Sequence, residues 1–273
     1  MTCDGTSPSF AKLSHPECQT FVERVIHRLQ SDGRFNGLLI AGSGLSGEMD
    51  EFSDLDLILV CRPECLDKIM KEKRSVAESF GQLLAAFTGE HVGEPALLIC
   101  LFNEPLLHVD LKFIVAQQLS SRVEDPIVAW SLGTEIETQL SRGQPNWPNL
   151  PPEWFEERFW IWIHYAAQKA GRGELFEAAD TLALIRQRVL GPMNGRNHGK
   201  NQRGVRRVEQ FAPAFAGSLQ GTLCVHEKSD VLRALQQAIA IYMQLRAPHV
   251  PSNLNEERHR IVVNYVRSLQ EQS

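Results

Sequence analysis

The stretch of sequence that decides the fold is GLLIAGSGLSGEMDEFSDLDLILV, residues 37–60. Residues 37–41 are a short apolar run that ends at Gly42 and Ser43, a pattern typical of a buried strand followed by a turn. After a polar interval, the run Leu-Asp-Leu-Ile-Leu-Val at residues 55–60 predicts a second strand. This part of the chain is therefore expected to form the centre of a sheet.

Two aspartates mark the start of the second predicted strand. Asp54 and Asp56 are two residues apart, so their side chains leave the same face, roughly 6.6 Å apart at Cα. Carboxylates placed in this way can share one or two divalent cations. Gly42 allows the backbone to approach a ligand closely, and Ser43 with the N–H groups after it can bind phosphate oxygens.

A third acid lies in LHVDLKF, residues 107–113. Alternation along a strand puts His108, Asp110 and Lys112 on one face and the apolar residues on the other. An aspartate in such a strand is costly to bury unless it is paired or bound to metal. If this strand lies beside the strand of Asp54 and Asp56, the three carboxylates converge. Lys112 either contacts a phosphate or balances the acids, and the sequence leaves both open.

The rest of the chain predicts an α+β protein. A helix is expected over 17–30, a mostly helical stretch over 63–87, and two further strands over 96–102 and 106–115, joined by a hairpin-like turn. Four prolines fall within residues 144–152. Beyond them, helical periodicity runs through 153–170, 174–190, 229–245 and 255–270, with a loop at 191–207. The prediction is a small mixed-sheet domain (1–143), a Pro-rich linker (144–152) and an all-helical C-terminal domain (153–273).

Composition narrows the class of protein. The 273 residues are 43% hydrophobic, enough for a sizeable core, and no apolar run approaches the roughly 18 residues of a membrane helix. The N-terminus has no basic start followed by an apolar stretch, and the six cysteines are scattered, as in reduced proteins. The expectation is a cytoplasmic protein with no membrane partner.

Charge is divided unevenly along the chain. Residues 1–150 carry 12 Lys or Arg and 21 Asp or Glu, whereas the rest carry 16 and 12, so a net charge of −5 combines −9 with +4. An acidic first half argues against nucleic acid as a partner. Residues 196–207 hold five basic side chains and no acid. That segment either closes over a triphosphate or is a solvated loop.

The motifs together resemble the nucleotidyltransferase superfamily related to DNA polymerase beta. Its signature is a hydrophobic residue with Gly-Ser, a gap of about ten residues, Asp-hydrophobic-Asp, and a third acid on a later strand. The matching residues, in order, are Gly42, Ser43, Asp54, Asp56 and Asp110. The spacing looks most like the aminoglycoside and lincosamide nucleotidyltransferases, although Leu45 and Ser46 stand where that branch often has Ala and Arg.

The resemblance implies an enzyme that transfers a nucleoside monophosphate from an NTP, expected to be ATP, to a hydroxyl of a small molecule and releases pyrophosphate. Asp54 and Asp56 would bind one or two Mg²⁺ ions, and Asp110 would complete the metal site, act as general base, or both. Gly42, Ser43 and Lys112 would contact the nucleotide. An aminoglycoside- or lincosamide-like antibiotic is one candidate acceptor, and a metabolite is another.

Several alternatives stay open at this stage. The acceptor could instead be a protein or an RNA end, or the chain could be an inactive nucleotide-binding homologue. In the aromatic helix after the linker, Glu156, Glu157 and His164 either border an acceptor pocket or pack within the domain. The base preference and the oligomeric state, including a homodimer, are not determined by the sequence.

Overall fold

The computed structural model describes residues 13–42 and 49–272. The chain divides into two compact units, Met1–Trp147 and Pro148–Ser273. The division falls inside the proline-rich stretch at 144–152. We call the first the sheet unit and the second the helical unit.

In its described part, the sheet unit contains one six-stranded sheet with three helices. The helices are α1 (Pro16–Ser31), α2 (Leu66–Glu78) and α3 (Glu135–Arg142). The strands are β1 (Phe35–Ile40), β2 (Leu55–Cys61), β3 (Gln82–Gly89), β4 (Glu94–Asn103), β5 (Leu107–Val115) and β6 (Ile127–Ser131). The strand order is β3-β4-β5-β2-β1-β6, and β2 and β5 are parallel whereas the other neighbours are antiparallel.

The two faces of this sheet have different roles. One face packs on α1 and α2 and forms the main core, with Phe21, Leu57, Phe102, Val109 and Leu111 among its buried residues. On the other face, a smaller cluster covers the far ends of β1, β2 and β5 and includes Leu39, Val60, Ile114 and Ile136 of α3. The remainder of that face carries polar side chains of β2 and β5. We call this uncovered part of the sheet the open face.

The sheet corrects one prediction. Helical spacing suggested a helix through residue 87, but α2 ends at Glu78 and residues 82–89 form the edge strand β3. Leu84, which continues the helical spacing of apolar residues, is 47% exposed and lies at an irregularity in the pairing with β4. Its neighbours Leu83, Ala85, Ala86 and Phe87 pair with β4, so strand pairing, and not a buried helical face, determines the conformation of this segment. Strand β6 and helix α3 were not predicted.

The helical unit is built from seven helices in the described residues. They are α4 (Pro152–Gly171), α5 (Leu175–Ile185), α6 (Gly191–Asn197), α7 (Val208–Phe211), α8 (Pro213–Gln220), α9 (Lys228–Arg246) and α10 (Glu256–Glu271). Their core contains the aromatic side chains of α4 and Tyr242 of α9, whose ring stacks on Phe159 with 3.8 Å between centroids.

The loop predicted at 191–207 is also corrected. A π-helical turn, Arg186–Leu190, leads from α5 directly into α6, and residues 191–195 are buried. Gly191 is required by close packing, because a Cβ there would lie 2.3 Å from the Gly204 carbonyl oxygen. The Gly191-Pro192 pair therefore continues a helix instead of ending it. The basic segment is partly packed as well, since the Arg196 guanidinium donates to the Leu150 carbonyl oxygen and lies 5.0 Å from the centre of the Phe155 ring.

The α+β prediction is confirmed: a mixed sheet is followed by a helical C-terminal region. Among the described residues, no helix combines the length and the apolar character needed to span a membrane. The described cysteines are free thiols, and Cys61 and Cys100 are buried in the core of the sheet unit.

Candidate active site

Two of the predicted aspartates lie side by side on the open face. The parallel pairing of β2 with β5 puts Asp56 in register with Asp110. Neighbouring strands are about 4.8 Å apart, and residues in register project from the same face. The intervening apolar residues of both strands point into the core, so alternation in each strand leaves the carboxylates outside. The condition set for convergence, that the two strands are neighbours, is thus met for Asp56 and Asp110.

Asp54 is close enough to influence this pair. It precedes β2 by one residue and is half-buried. Burial is the main reason why the pKa of Asp110 is raised, and the negative charge of Asp54 raises it further. His108 opposes both effects, because its Nε2 lies 3.1 Å from Asp110 Oδ1. Asp110 therefore lies in register with one carboxylate, that of Asp56, and within electrostatic reach of a second, that of Asp54.

Gly42 brings the chain that leaves β1 against Asp56. Its φ of +62° lies in the left-handed region, and a Cβ on this residue would be 1.7 Å from Asp56 Oδ2. The preceding residue, Ala41, donates its N–H to the Asp56 carbonyl oxygen at 2.9 Å. Only glycine leaves room for the backbone to pass this close to the carboxylate. Ser43, the other half of the Gly-Ser motif, lies outside the described residues.

Lys112 shares the open face but has an acidic neighbour on another strand. Its Nζ lies 3.0 Å from Glu94 Oε2 of β4, and both side chains are more than 40% exposed. A solvent-exposed pair of this kind contributes little to stability. In this arrangement Lys112 balances Glu94, and contact with a phosphate would require the ammonium to leave that partner.

The donor set of the open face suits a hard divalent cation. Asp54, Asp56 and Asp110 offer only carboxylate oxygens, the ligand type that Mg²⁺ prefers. Like charges gathered on one face, one of them with a raised pKa, are an arrangement that a cation relieves. Within residues 13–42 and 49–272, however, no group of three or more His, Cys, Asp or Glu side chains is clustered tightly enough to hold an ion as it stands. The carboxylates would therefore have to turn toward one another around it.

Sequence reasoning missed the apolar neighbours of Asp110 on β4. The antiparallel pairing puts Ile99 directly opposite Asp110 and Leu101 opposite His108, and β3 adds Phe87 opposite Ile99. The pattern of the hairpin alone gives a register that differs by one residue. A turn at residues 103–105 would pair residue 99 with residue 109, whereas the observed register is centred between residues 104 and 105 and pairs residue 99 with residue 110.

Glu156 is not part of an acceptor pocket. It is 0% exposed in the core of the helical unit and accepts hydrogen bonds from Trp160 Nε1 (2.9 Å), Tyr242 Oη (2.5 Å), Arg246 Nη1 (3.3 Å) and Arg258 Nη2 (3.0 Å). Both carboxylate oxygens are used twice. Burial, with the hydrogen bond to Glu156, raises the pKa of Tyr242.

The other two candidates on α4 also have local partners. Glu157 accepts hydrogen bonds from Arg158 and Asn253, and the ring of His164 packs 5.0 Å from that of Tyr265. Both side chains therefore contact residues of the helical unit.

Comparison with known proteins adds little to this geometry. No protein-family model and no curated protein matches the sequence. Among solved structures, the crystal structure of an aminoglycoside 6-adenyltransferase from Bacillus subtilis is similar to this chain, with a TM-score of 0.38 and 15% identity over 93% of this chain and 98% of that one. Because this likeness is weak, the chemistry of the site rests on the residues of this chain.

Proposed function

We propose that the protein is a Mg²⁺-dependent nucleotidyltransferase that transfers a nucleoside monophosphate from an NTP, with ATP as the expected donor, to a hydroxyl of a small molecule. The observation that carries the proposal is the register of Asp56 with Asp110 on adjacent parallel strands, with Asp54 two residues before Asp56. A structural role alone does not explain why a sheet gathers three like charges on one face, because their mutual repulsion opposes folding.

Each aspartate has a role in this proposal. Asp54 and Asp56 would hold the metal, and Asp110 would join them or act as base. When bound, Mg²⁺ would neutralise charge on the phosphates and on the leaving pyrophosphate. The half-buried position of Asp110 beside His108 supports the role of base, because a raised pKa makes a carboxylate a better proton acceptor.

The reaction is a displacement at the α-phosphorus. A bond forms from the acceptor oxygen to the α-phosphorus while the bond to the bridging oxygen of pyrophosphate breaks. The proton of the acceptor hydroxyl goes to the Asp110 carboxylate. Gly42 contributes by keeping the backbone after β1 against the Asp56 carboxylate.

The direct test is Mg²⁺-dependent pyrophosphate release from a panel of NTPs with pooled hydroxylated acceptors, read with mass spectrometry for the nucleoside-monophosphate adduct. Replacing Asp54→Asn or Asp56→Asn should lower release by about 10³-fold or more, since metal-assisted charge stabilisation contributes several kcal/mol. The thermal melt should stay close to that of the wild type.

Asp67→Asn is the matched control. Asp67 is an exposed aspartate in the first turn of α2, so the same substitution there should leave activity intact. Full activity in Asp54→Asn and Asp56→Asn would refute the assignment. Release of pyrophosphate without any antibiotic adduct would instead direct the search to metabolite acceptors.

A further inference from the structure

An apolar band lies beside the three aspartates on the open face. It consists of Ile99, Leu101 and Phe87. Ile99 lies opposite Asp110 and Leu101 lies opposite His108 on β5, and Phe87 of β3 lies opposite Ile99. Directly opposed residues of antiparallel strands have Cβ atoms about 5 Å apart on the same face. A molecule that presents a hydroxyl to Asp110 from this side must therefore lie over Ile99 and Leu101.

The band is more exposed than the fold requires. Leu101 is 38% and Phe87 57% exposed, whereas the alternate residues Leu98, Cys100 and Phe102 of β4 are at most 3% exposed and provide its contribution to the core. The solvent face of an antiparallel hairpin is ordinarily polar. Contiguous exposed apolar side chains beside a polar group are typical of a ligand-binding surface.

The side chains next to the band indicate whether the ligand is charged or neutral. On β4 the residues of the open face nearest to Asp110 are Leu97, Ile99 and Leu101, none of which carries a charge. The nearest β4 carboxylate, Glu94, already pairs with Lys112. A polycationic acceptor would gain no partner on this side, while an uncharged carbon skeleton would bury apolar surface.

We propose that this apolar band is the platform for the acceptor, and that it selects a neutral hydroxylated molecule with a carbon-rich face over a polycationic sugar. This inference rests on the proposed function, because it takes Asp110 as the group that meets the acceptor hydroxyl. The direct contact of the band with the neighbours of Asp110 favours a ligand that presents its hydroxyl to that carboxylate.

The first experiment compares phenyl β-D-glucopyranoside with methyl β-D-glucopyranoside as acceptors in Mg²⁺–ATP pyrophosphate release, with kanamycin as a polycationic probe. The two glucosides carry the same hydroxyls and differ only in the apolar ring. We expect a KM about tenfold lower for the phenyl compound, since half-burying a ring contributes on that scale. Leu101→Ser should bring the ratio of the two KM values close to one.

Leu132→Ser is the control. Leu132 is 49% exposed and follows β6, at the opposite edge of the sheet from β3, so the same change should leave the KM ratio as in the wild type. Equal KM values for the two glucosides in the wild type, or stronger use of kanamycin, would overturn the inference.

A second experiment measures binding without turnover and so separates the two proposals. In protein labelled with ¹³C at Ile and Leu methyl groups, phenyl β-D-glucopyranoside should shift the Ile99 and Leu101 resonances in a saturable way, and the methyl glucoside should not. If these shifts appear but no NTP is turned over, the platform stands and the proposed function fails. If turnover occurs and the shifts are absent, the platform is wrong.

Two other occupants are distinguished by the same variants. A higher KM for ATP in Leu101→Ser, with an unchanged glucoside ratio, would mean that the band binds the nucleotide base. A change in the sedimentation coefficient of Leu101→Ser would mean that the band is a contact between two copies of the chain. Either result would overturn the inference.

Discussion

The carboxylates of the sheet unit and the buried carboxylate of the helical unit have opposite surroundings. Glu156 is fully buried and accepts hydrogen bonds from an indole, a phenol and two guanidinium groups. Asp110 is partly exposed, lies in register with Asp56 and within electrostatic reach of Asp54, and has the imidazole of His108 as a hydrogen-bonding neighbour. The hydrogen-bonding capacity of Glu156 is thus filled by groups of the protein, whereas Asp110 has carboxylates of its own sign close by.

This difference separates a structural acid from a candidate functional one. A buried ion pair is stable only when its hydrogen bonds are complete, and the Glu156 cluster meets that condition. Carboxylates that are left next to one another retain the capacity to bind a cation or accept a proton. The same residue chemistry thus contributes to the fold in one unit and to the proposed reaction in the other.

The largest effect on stability is expected from Glu156→Ala. Its loss leaves Arg246, which is 7% exposed, and the Tyr242 hydroxyl without their shared partner. We expect the free energy of unfolding to fall by about 3–5 kcal/mol, the usual cost of breaking a buried pair. Urea denaturation measures this change. Glu157→Ala on the same helix, with an exposed side chain, should change it by less than about 0.5 kcal/mol; a similar loss in both variants would contradict the comparison.

A smaller and mixed effect is expected from Gly42→Ala. The new Cβ must displace the Asp56 carboxylate and adopt a left-handed φ, which costs about 1–2 kcal/mol. Moving a ligand of the proposed metal site should lower pyrophosphate release by about 10²-fold.

Gly133→Ala provides the control for the backbone strain in Gly42→Ala. Gly133 has a φ of +70° but open space around its Cβ position, so the variant should lose stability and keep activity. Equal losses of activity in the two variants would show that strain alone, and not the contact with Asp56, matters.

The smallest effect concerns the pH dependence of stability. Because the pKa of Asp110 is raised in the folded state, folding takes up a proton between the ordinary aspartate pKa near 4 and the raised value. Wild-type stability should therefore fall, relative to Asp110→Asn, as the pH rises through this window. Unfolding in urea with EDTA at pH 3.5 to 7.5 tests this expectation. If the free energies of unfolding of the two proteins run parallel over this pH range, the pKa of Asp110 is not raised by folding.

The sequence predicted those parts of the fold that depend on local periodicity. Alternation identified β2 and β5 with Asp56 and Asp110 on one face, and the amphipathic pattern identified α1. It failed for β3, where apolar residues at helical spacing belong to an exposed edge strand, and for α6, where a glycine and a proline lie inside a helix. In both segments a contact distant in the sequence decides the conformation, pairing with β4 or packing against Gly204.

The structural role of Glu156 was beyond the reach of the sequence for the same reason. Three of its four partners, Tyr242, Arg246 and Arg258, are 86 to 102 residues away in the chain. No spacing within α4 indicates them. By contrast, the neighbours of Asp110 on β4 are close in the chain, and only the register of a short hairpin, which differs by one residue from that of the predicted turn, is needed to identify them.

The most direct test of the central claim measures two quantities on two isosteric variants, Asp56→Asn and Glu156→Gln. The quantities are Mg²⁺-dependent pyrophosphate release and the free energy of unfolding. We expect Asp56→Asn to lose activity by about 10³-fold or more with little change in stability, and Glu156→Gln to lose several kcal/mol of stability but retain activity where it is folded. Full activity in Asp56→Asn would show that the open face is not the reaction site.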